Sequence, residues 1–263
     1  MSQIEVKLPD GSVKEFDSEI NGFQLAKSIS PGLAKAAVAM KINGTVTNLS
    51  DKIPTGSPVE ILTFDNAQGR EVFWHSSSHI MAQAVMELFP ETKLAIGPPI
   101  DEGWYYDFEV KVPFTPEDLE KIEKKMVEIV KENVPFTHET KNRLETIEYF
   151  KKNNAIYKVE ILEGIEDDNV TFYYQSRFQD LCRGPHIPKT GIVKALKLTA
   201  TSGAYWRGDE NNTMLQRIYG VSYPKKEMME EYLYRMEEAK KETTGSLARE
   251  WNFLRCRMKS APV

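Results

Sequence analysis

The sequence is poor in cysteine and histidine and has no long apolar run. Only two cysteines occur in 263 residues, which is too few for a disulfide framework, so we expect a reducing cytoplasm. No apolar stretch approaches the roughly 18 residues that a membrane span requires. The first twelve residues, MSQIEVKLPDGS, lack the apolar region of a secretory signal. These absences argue against a secreted, disulfide-stapled protein and against a membrane protein.

The composition is that of a soluble globular protein of ordinary charge. Hydrophobic residues make up 41% and charged residues 28% of the chain, and the net charge is -5. The length suits one large domain or two ordinary domains. A net negative charge does not indicate a nucleic-acid binder, although a local basic face could still bind RNA.

The first sixty or so residues predict a small α+β unit. An alternating apolar segment and its return flank a turn at Asp10-Gly11, a second hairpin turns at Asn43-Gly44, and Pro31-Gly32 ends a helix between them. The predicted strands lie at 4–8, 13–16, 36–42 and 59–62, and the predicted helix lies at 23–29. This order is typical of a β-grasp sheet, a form that is more often a binding module than an enzyme.

A polar break at 65–69 separates this unit from a second, larger region. There the apolar periodicity predicts a helix that Pro90 ends and a further helix that begins at Pro116 behind a capping box. The remaining predicted helices lie at 144–152 and 225–241, and the predicted strands lie at 104–108, 158–162, 171–174 and 194–201.

Two short motifs hold most of the chain's histidine and cysteine. His75 and His79 form one pair and Cys182 and His186 form another, so three of four histidines and one of two cysteines lie in these motifs. Helical residues four apart share a face. Together the pairs form a tetrahedral ligand set for zinc or a cluster that moves protons.

Neither pair by itself shows whether these residues form a metal site, a catalytic site or no site. The two histidines fit ordinary surface or core positions, and Cys182 fits a small buried hydrophobic position. A closed structural zinc site, an open catalytic zinc site and metal-free general base catalysis all remain open at this stage.

Two further features suggest a binding pocket. The glycine-rich, aromatic segment 202–209 could stack a base, or it could form a tight turn with core aromatics. Lys158 lies in an apolar segment, where it would either point into a pocket and meet a developing negative charge or lie on an edge strand.

Longer motifs resemble a known family in order along the chain. LPDGS and PGLAKAA are similar to the TGS module at the N-terminus of threonyl-tRNA synthetases. HSSSHIMAQAV, KLAIGPPIDEGWYYDF, DLCRGPHIP and SGAYWRGDENNTMLQRIYG resemble the adjoining editing domain of the bacterial enzymes. The resemblance implies an α+β protein with a ubiquitin-like TGS β-grasp domain at 1–63, an editing domain of the threonyl/alanyl-tRNA synthetase type at 64–224 and a linker helix at 225–243. The tail, 244–263, does not match the family's entry into its class II aminoacylation core.

The resemblance also implies a reaction, which is hydrolysis of the ester of mischarged Ser-tRNA(Thr). His75 would orient or deprotonate water, and Lys158 would stabilise the substrate ester or the leaving ribose hydroxyl. The serine moiety and the water would be held by His79, Asp180, Cys182 and His186. The residues expected to line the substrate site are Tyr106, Gly97, Arg183 and Tyr205.

The same resemblance sets expectations for cofactors and partners. The partner is the acceptor end of tRNA(Thr), in the cytoplasm. In the alanyl-type relatives the HxxxH and CxxxH elements bind zinc, whereas the threonyl family has no firm metal requirement. ATP and a further zinc ion belong to the core, so we do not expect aminoacylation from this chain alone. The family's homodimer contacts lie largely in the core as well, so a homodimer is expected of the full-length parent, while the sequence leaves the oligomeric state of this chain open. The alternatives are a non-catalytic tRNA-binding module with a structural zinc, and a chain that is unstable without the core.

Overall fold

A computed structural model describes residues 4–239. Its first module is a five-stranded mixed sheet with two short helices on it, in the chain order β1 (Ile4–Lys7), β2 (Val13–Phe16), α1 (Gly22–Ile29), α2 (Pro31–Ala36), β3 (Ala37–Ile42), β4 (Thr45–Thr47) and β5 (Ser57–Thr63). The sheet order is β2-β1-β5-β3-β4, and β1 runs parallel to β5. This arrangement confirms the predicted β-grasp form.

The helix α1 ends at Ile29, before Pro31-Gly32 as predicted, but the sequence analysis missed the helix α2, which begins at Pro31. Ser30 caps it, because the Leu33 N–H donates to the Ser30 hydroxyl at 3.0 Å, and Pro31 occupies the first turn. Proline is tolerated there, since the first helical N–H has no partner within the helix.

The second region contains two further sheets. Its elements are α3 (Ala67–Leu88), β6 (Lys93–Leu94), β7 (Pro99–Ile100), β8 (Gly103–Glu109), α4 (Pro116–Glu132), β9 (Phe136–Asn142), α5 (Arg143–Lys152), α6 (Ile156–Glu163), β10 (Asn169–Gln175), β11 (Phe178–Leu181), β12 (Ala195–Tyr205) and β13 (Met214–Tyr223). One sheet has the order β12-β13-β8-β6 with β7 paired to β8, and the other has the order β11-β10-β9. A last helix, α7, covers residues 226–239, and the rest of the predicted 225–241 helix lies outside the described residues.

The segment predicted as a strand at 158–162 is the helix α6. Its β-branched residues favour a strand, but Tyr157, Lys158 and Leu162 are buried and Ile161 is partly buried. Burial at positions i, i+1, i+4 and i+5 follows a helical period and not the alternation of a strand. The helix lets Lys158 point inward, which excludes the edge-strand interpretation.

The sequence analysis missed the strands β6, β7, β9, β11 and β13 of the second region, and two of them, β9 and β11, lack an alternating apolar pattern. The strand β9 is mostly exposed, and β11 has only four residues. Both pair with the central strand β10, so backbone hydrogen bonds to β10 fix them. Within residues 4–239 no helix combines the length and apolarity needed to span a membrane.

Candidate active site

The helix α3 carries the first histidine pair and is buried along most of its length. Three buried serines separate His75 from His79, and each serine hydroxyl donates to a backbone carbonyl. Such bonds satisfy hydroxyl groups inside a helix. The small side chains allow the second region's other elements to approach both histidines closely.

The two pairs predicted from sequence meet in space. The ligand-type atoms of His75, His79, Cys182 and His186 all lie within 4.8 Å of one another. The His75 Nε2 lies 2.9 Å from the Cys182 Sγ, and the His186 Nε2 lies 3.3 Å from the same sulfur. The expected single shared cluster is therefore present.

Hydrogen bonds fix the tautomers of two of the imidazoles. The Gly97 carbonyl can only accept, so the His75 Nδ1 at 3.3 Å donates to it. The Ser76 hydroxyl gives its proton to the Val72 carbonyl at 2.7 Å, so the His186 Nδ1 at 3.0 Å donates to the Ser76 oxygen. Both Nε2 atoms are then unprotonated and face the sulfur, which is the arrangement that a metal ligand or a proton acceptor needs.

The donor set suits zinc. Two nitrogens with bare lone pairs, a third imidazole and one cysteine sulfur converge in one place, and zinc prefers four such ligands in tetrahedral geometry. Hydrogen bonds from Nδ1 to a carbonyl or hydroxyl are the usual supports of zinc-bound histidines. The residues present therefore fit a zinc ion.

Burial keeps the imidazoles of the cluster neutral. Removal from water lowers the pKa of His75 to about 4, and the hydrogen bond to Gly97 opposes this shift only in part. Burial, followed by neighbouring positive charge, lowers the pKa of His79 and His186 well below the ordinary value. Removal from water raises the pKa of the Cys182 thiol to about 12.

These shifts predict that acid destabilises the fold. In an unfolded chain each histidine takes up a proton near pH 6.5, whereas in the folded chain the pKa of His75 is lowered to about 4 and the pKa values of His79 and His186 are lowered well below their ordinary value by burial. The free energy of unfolding should therefore fall as the pH drops below about 6.5, by up to roughly 1.4 kcal/mol per pH unit for each such histidine. Urea unfolding at pH 7.5 and 5.5 measures this slope. The variant His79→Gln should show a smaller change in the free energy of unfolding with pH. An unchanged slope in that variant would contradict the conclusion that buried, neutral His79 contributes to it.

A second polar group lies beside the cluster. The Lys158 ammonium forms an ion pair with Asp180 Oδ1 at 2.7 Å, and the two side chains are 5% and 3% exposed. The Tyr106 hydroxyl donates to Asp180 Oδ2 at 2.9 Å, and Lys158 lies 3.3 Å from the same hydroxyl. Both carboxylate oxygens of Asp180 are thus engaged in holding Lys158 and Tyr106.

One cavity of about 1130 Å³ joins the cluster to this ion pair. It is lined by His75, His79, Cys182, Lys158, Asp180 and Tyr106, together with Gly97, Arg183 and Arg207. The predicted binding residue Tyr205 does not line it. Tyr205 ends β12 with 41% of its surface exposed, and Arg207 reaches the cavity instead.

At two positions that line the cavity, a glycine lets an aromatic side chain lie close to the backbone. A Cβ atom at Gly97 would lie 2.1 Å from the ring of Tyr106. A Cβ atom at Gly184 would lie 1.9 Å from the Tyr173 hydroxyl, and Gly184 also has a positive φ of +65°. Side chains at either position would push an aromatic ring away from the site.

Several residues that shape the site were missed by sequence reasoning. Phe136 stacks on the His186 ring at 5.0 Å, and Tyr173 meets the same ring edge-on at 4.5 Å. Ser76, which lies inside the HSSSH motif, binds the imidazole of His186 and orients it. Its place on the buried helix between the two histidines could have indicated this role from the sequence. No local pattern points to Phe136 or Tyr173, because they reach His186 from strands whose pairing is set by the fold.

Comparison with known proteins identifies two domains. Residues 4–63 match the TGS domain, and residues 170–219 match the threonyl and alanyl tRNA synthetase second additional domain. The chain is 50% identical over 246 residues to a threonine–tRNA ligase of Caldanaerobacter subterraneus subsp. tengcongensis, which covers 93% of this chain and 38% of that protein. Identity is 49% over 248 residues to the threonine–tRNA ligase of Desulforamulus reducens and 50% over 247 residues to that of Finegoldia magna, each covering 94% of this chain and 39% of the relative.

The chain thus spans about two fifths of the length of these curated relatives. The order of the two domain matches and the identity across 93% of this chain confirm the resemblance seen in its motifs. The chain carries a TGS domain and a second additional domain, and it is homologous to the N-terminal region of threonine–tRNA ligases.

Proposed function

We propose that this chain is a hydrolytic editing module that cleaves the ester of mischarged Ser-tRNA(Thr). The observation that carries the proposal is the single cavity that joins the His75, His79, Cys182 and His186 cluster to the buried Lys158–Asp180 pair. Ester hydrolysis needs a positioned water and a group that meets negative charge. The cluster and Lys158 supply these two elements. We also propose that the chain acts in the cytoplasm, where it would meet its tRNA substrate.

The reaction is a simple acyl transfer to water. The water oxygen bonds to the seryl carbonyl carbon while a proton leaves the water. The tetrahedral intermediate then collapses and breaks the bond to the ribose oxygen, which takes up a proton. The products are serine and tRNA(Thr). Lys158 is suited to stabilise the negative charge that develops on the carbonyl oxygen or on the leaving ribose oxygen.

The lowered pKa of His75 favours orientation of the water over its deprotonation by this imidazole. A base with a pKa of about 4 lies some three units below neutral pH, so complete proton abstraction by this imidazole is weakly driven. Its bare Nε2 can still accept a hydrogen bond and aim the water. We therefore assign orientation of the water to His75, with the unprotonated His186 Nε2 beside it.

A zinc ion, where bound, would be held by residues of the set His75, His79, Cys182 and His186. All four ligands would give a closed site, whereas three of them would leave one position at which the ion would lower the pKa of a bound water. The remaining tasks belong to side chains of this chain in either case. Lys158 meets developing charge, and Asp180 and Tyr106 hold Lys158 in place.

The need for such a reaction follows from the small difference between serine and threonine. A binding pocket gains only about 1–3 kcal/mol from one methylene group, so synthesis alone admits errors. A hydrolytic site that accepts serine and sterically excludes threonine removes them. The tight packing of Gly97 against Tyr106 supplies a rigid wall that could enforce this exclusion.

The alternative is a non-catalytic tRNA-binding module with a structural zinc. A structural zinc needs only its four protein ligands, whereas a catalytic zinc or a metal-free catalytic cluster must be reached by substrate and water, and His75, His79 and Cys182 all line the cavity. This exposure to the cavity favours the catalytic interpretation.

A basic groove supports tRNA as the partner. Its volume is about 1270 Å³, and it is lined by Lys35, Lys131, Lys189, Lys194, Lys225 and Lys226 as well as Asp65 and Glu230. This local excess of positive charge contrasts with the net charge of -5 of the whole chain. Lys189 follows His186 by three residues, so the groove begins within about 10 Å of the cluster along the chain.

The double variant Lys189→Ala/Lys225→Ala should weaken tRNA binding and lower its salt dependence. Each lost phosphate contact removes roughly 0.7–0.9 from the slope of log K against log salt concentration, so the slope should fall by about 1.5. Filter binding at several salt concentrations measures it. Lys7→Ala/Lys124→Ala, which removes exposed lysines outside the groove, serves as the matched control. Equal slopes in both variants would contradict a role for the groove.

The test of the proposed function compares deacylation of Ser-tRNA(Thr) and Thr-tRNA(Thr) by the full chain, with and without a chelator. Rapid loss of serine with threonine retained is the expected result. Tight tRNA binding by a folded chain without any hydrolysis would favour the binding-module alternative.

A further inference from the structure

A loop of the TGS domain reaches into the editing cluster. Asn48, which follows β4, accepts a hydrogen bond at 3.1 Å from the backbone N–H of His186. Its amide nitrogen donates to the Tyr173 hydroxyl at 3.0 Å. These partners lie 138 and 125 residues further along the chain. One side chain of the first domain thus holds two residues that surround the catalytic cluster.

The loop that carries Asn48 is itself fixed. The adjacent Leu49 is 2% exposed and belongs to the hydrophobic core of the TGS domain. The Asn48 N–H donates to Asp51 Oδ2 at 3.0 Å, which closes the loop on itself. The loop that carries Asn48 is therefore held in place by the TGS core, which restricts the position of the Asn48 side chain.

The backbone around His186 is held mainly by side chains of other segments. The Ile187 N–H donates to the Ser76 hydroxyl at 2.9 Å, and the His186 N–H donates to Asn48. Prolines at 185 and 188 have no N–H to contribute. Asn48 and Ser76 thus pin two successive peptide units, and Ser76 also binds the imidazole of His186.

We propose that Asn48 is a positioning residue for the editing reaction, so that the TGS domain forms part of the editing site. By fixing the His186 backbone and the Tyr173 ring that packs on its imidazole, Asn48 sets the direction in which the His186 Nε2 faces the Cys182 sulfur. The TGS domain then supports the cluster through these hydrogen bonds and is not only a separate binding module. The activity part of this inference rests on the proposed function, but its structural part does not.

Hydrogen exchange tests the structural part in the full chain. In Asn48→Ala the backbone N–H of His186 loses its acceptor, and a hydrogen bond of about 1 kcal/mol corresponds to roughly fivefold faster exchange. Amides of the TGS core, such as those of Val6 and Leu25, should exchange at wild-type rates. NMR detection resolves the individual amides. Ser30→Ala, which removes the cap of α2 in the same domain, should leave the His186 amide unaffected.

Deacylation kinetics test the catalytic part. Asn48→Ala should lower kcat for Ser-tRNA(Thr) by about tenfold with little change in KM, because misplacement of a reacting group costs the transition state more than it costs binding. The pair Asn48→Asp/Asp51→Asn keeps an acceptor oxygen at position 48 and the same net charge. We expect it to restore slow exchange at His186 and most of kcat.

The two parts fail separately. If the wild-type chain hydrolyses no ester, the proposed function is wrong, and exchange alone then decides the role of Asn48. Wild-type exchange at His186 in Asn48→Ala overturns the inference. If Asn48→Ala does not fold, the variant Tyr173→Phe removes the hydroxyl that Asn48 binds and keeps the aromatic ring. An unchanged kcat together with unchanged exchange in that variant also overturns the inference.

Discussion

Replacing Lys158 with alanine should lower the rate of Ser-tRNA(Thr) hydrolysis by about 10²–10³-fold, the usual loss when a group that meets transition-state charge is removed. Among the described residues that line the cavity, Lys158 is the only buried cation. It lies next to Asp180 and Tyr106. Single-turnover deacylation with saturating protein measures the chemical step. A variant that keeps more than a tenth of the wild-type rate would show that Lys158 does not stabilise the transition-state charge.

The control for this variant must separate chemistry from stability. Lys158→Ala leaves Asp180 buried without its ion-pair partner, which can cost about 3–5 kcal/mol of folding free energy. Arg217→Ala imposes a comparable burden, because Arg217 forms a two-pronged ion pair with the buried Asp107 at 2.7 and 2.8 Å. Asp107 neighbours Tyr106 on β8, so its side chain points to the opposite face of that strand. Arg217→Ala should therefore destabilise the fold while leaving hydrolysis largely intact.

A double variant protects the test against unfolding. Lys158→Met/Asp180→Asn removes both charges, so no unpaired charge stays buried. It should fold and still lack hydrolysis. A folded double variant with wild-type hydrolysis would show that this polar network supports structure only.

Cys182→Ser should weaken zinc binding by well over 100-fold, if zinc is the ion that the cluster takes. Loss of a mere supporting hydrogen bond to a zinc ligand costs about 10–100-fold, and removal of a ligand should cost more. The wild-type chain should also release about one proton per zinc ion at pH 7.5. The thiol, with its pKa of about 12, must lose a proton on binding, while the imidazoles, with lowered pKa values, are already neutral.

Calorimetry in buffers with different ionisation enthalpies counts that proton. Cys256→Ser is the matched control, because Cys256 is the chain's other cysteine and is not one of the four residues proposed as zinc ligands. Its zinc affinity and proton release should equal those of the wild type. Zinc binding without proton release, or equal loss of affinity in both variants, would exclude Cys182 as the sulfur ligand.

Much of the candidate site was predictable because its residues occur in compact motifs. The spacing of His75 and His79 places both on one helical face whatever the tertiary structure, and the short loop from Cys182 to His186 keeps that pair together. The β-grasp form was predictable for a similar reason, since turn residues and alternating strands are local signals. Lys158 was noticed for its place in an apolar segment, and the resemblance of the motifs to the synthetase family then implied roles at the site for Lys158, Asp180 and Tyr106.

Sequence by itself determined the composition of the cluster and the order of the two domains, because local periodicity, turn chemistry and motif spacing encode them. Only the tertiary structure decided that Lys158 lies on a helix, that Tyr205 lies outside the cavity, and that Asn48 of the TGS domain binds the backbone of His186. The physical reason is the range of the interactions. Buried ion pairs, ring packing and hydrogen bonds across more than a hundred residues depend on how helices and sheets pack, and no local pattern in the chain records that packing.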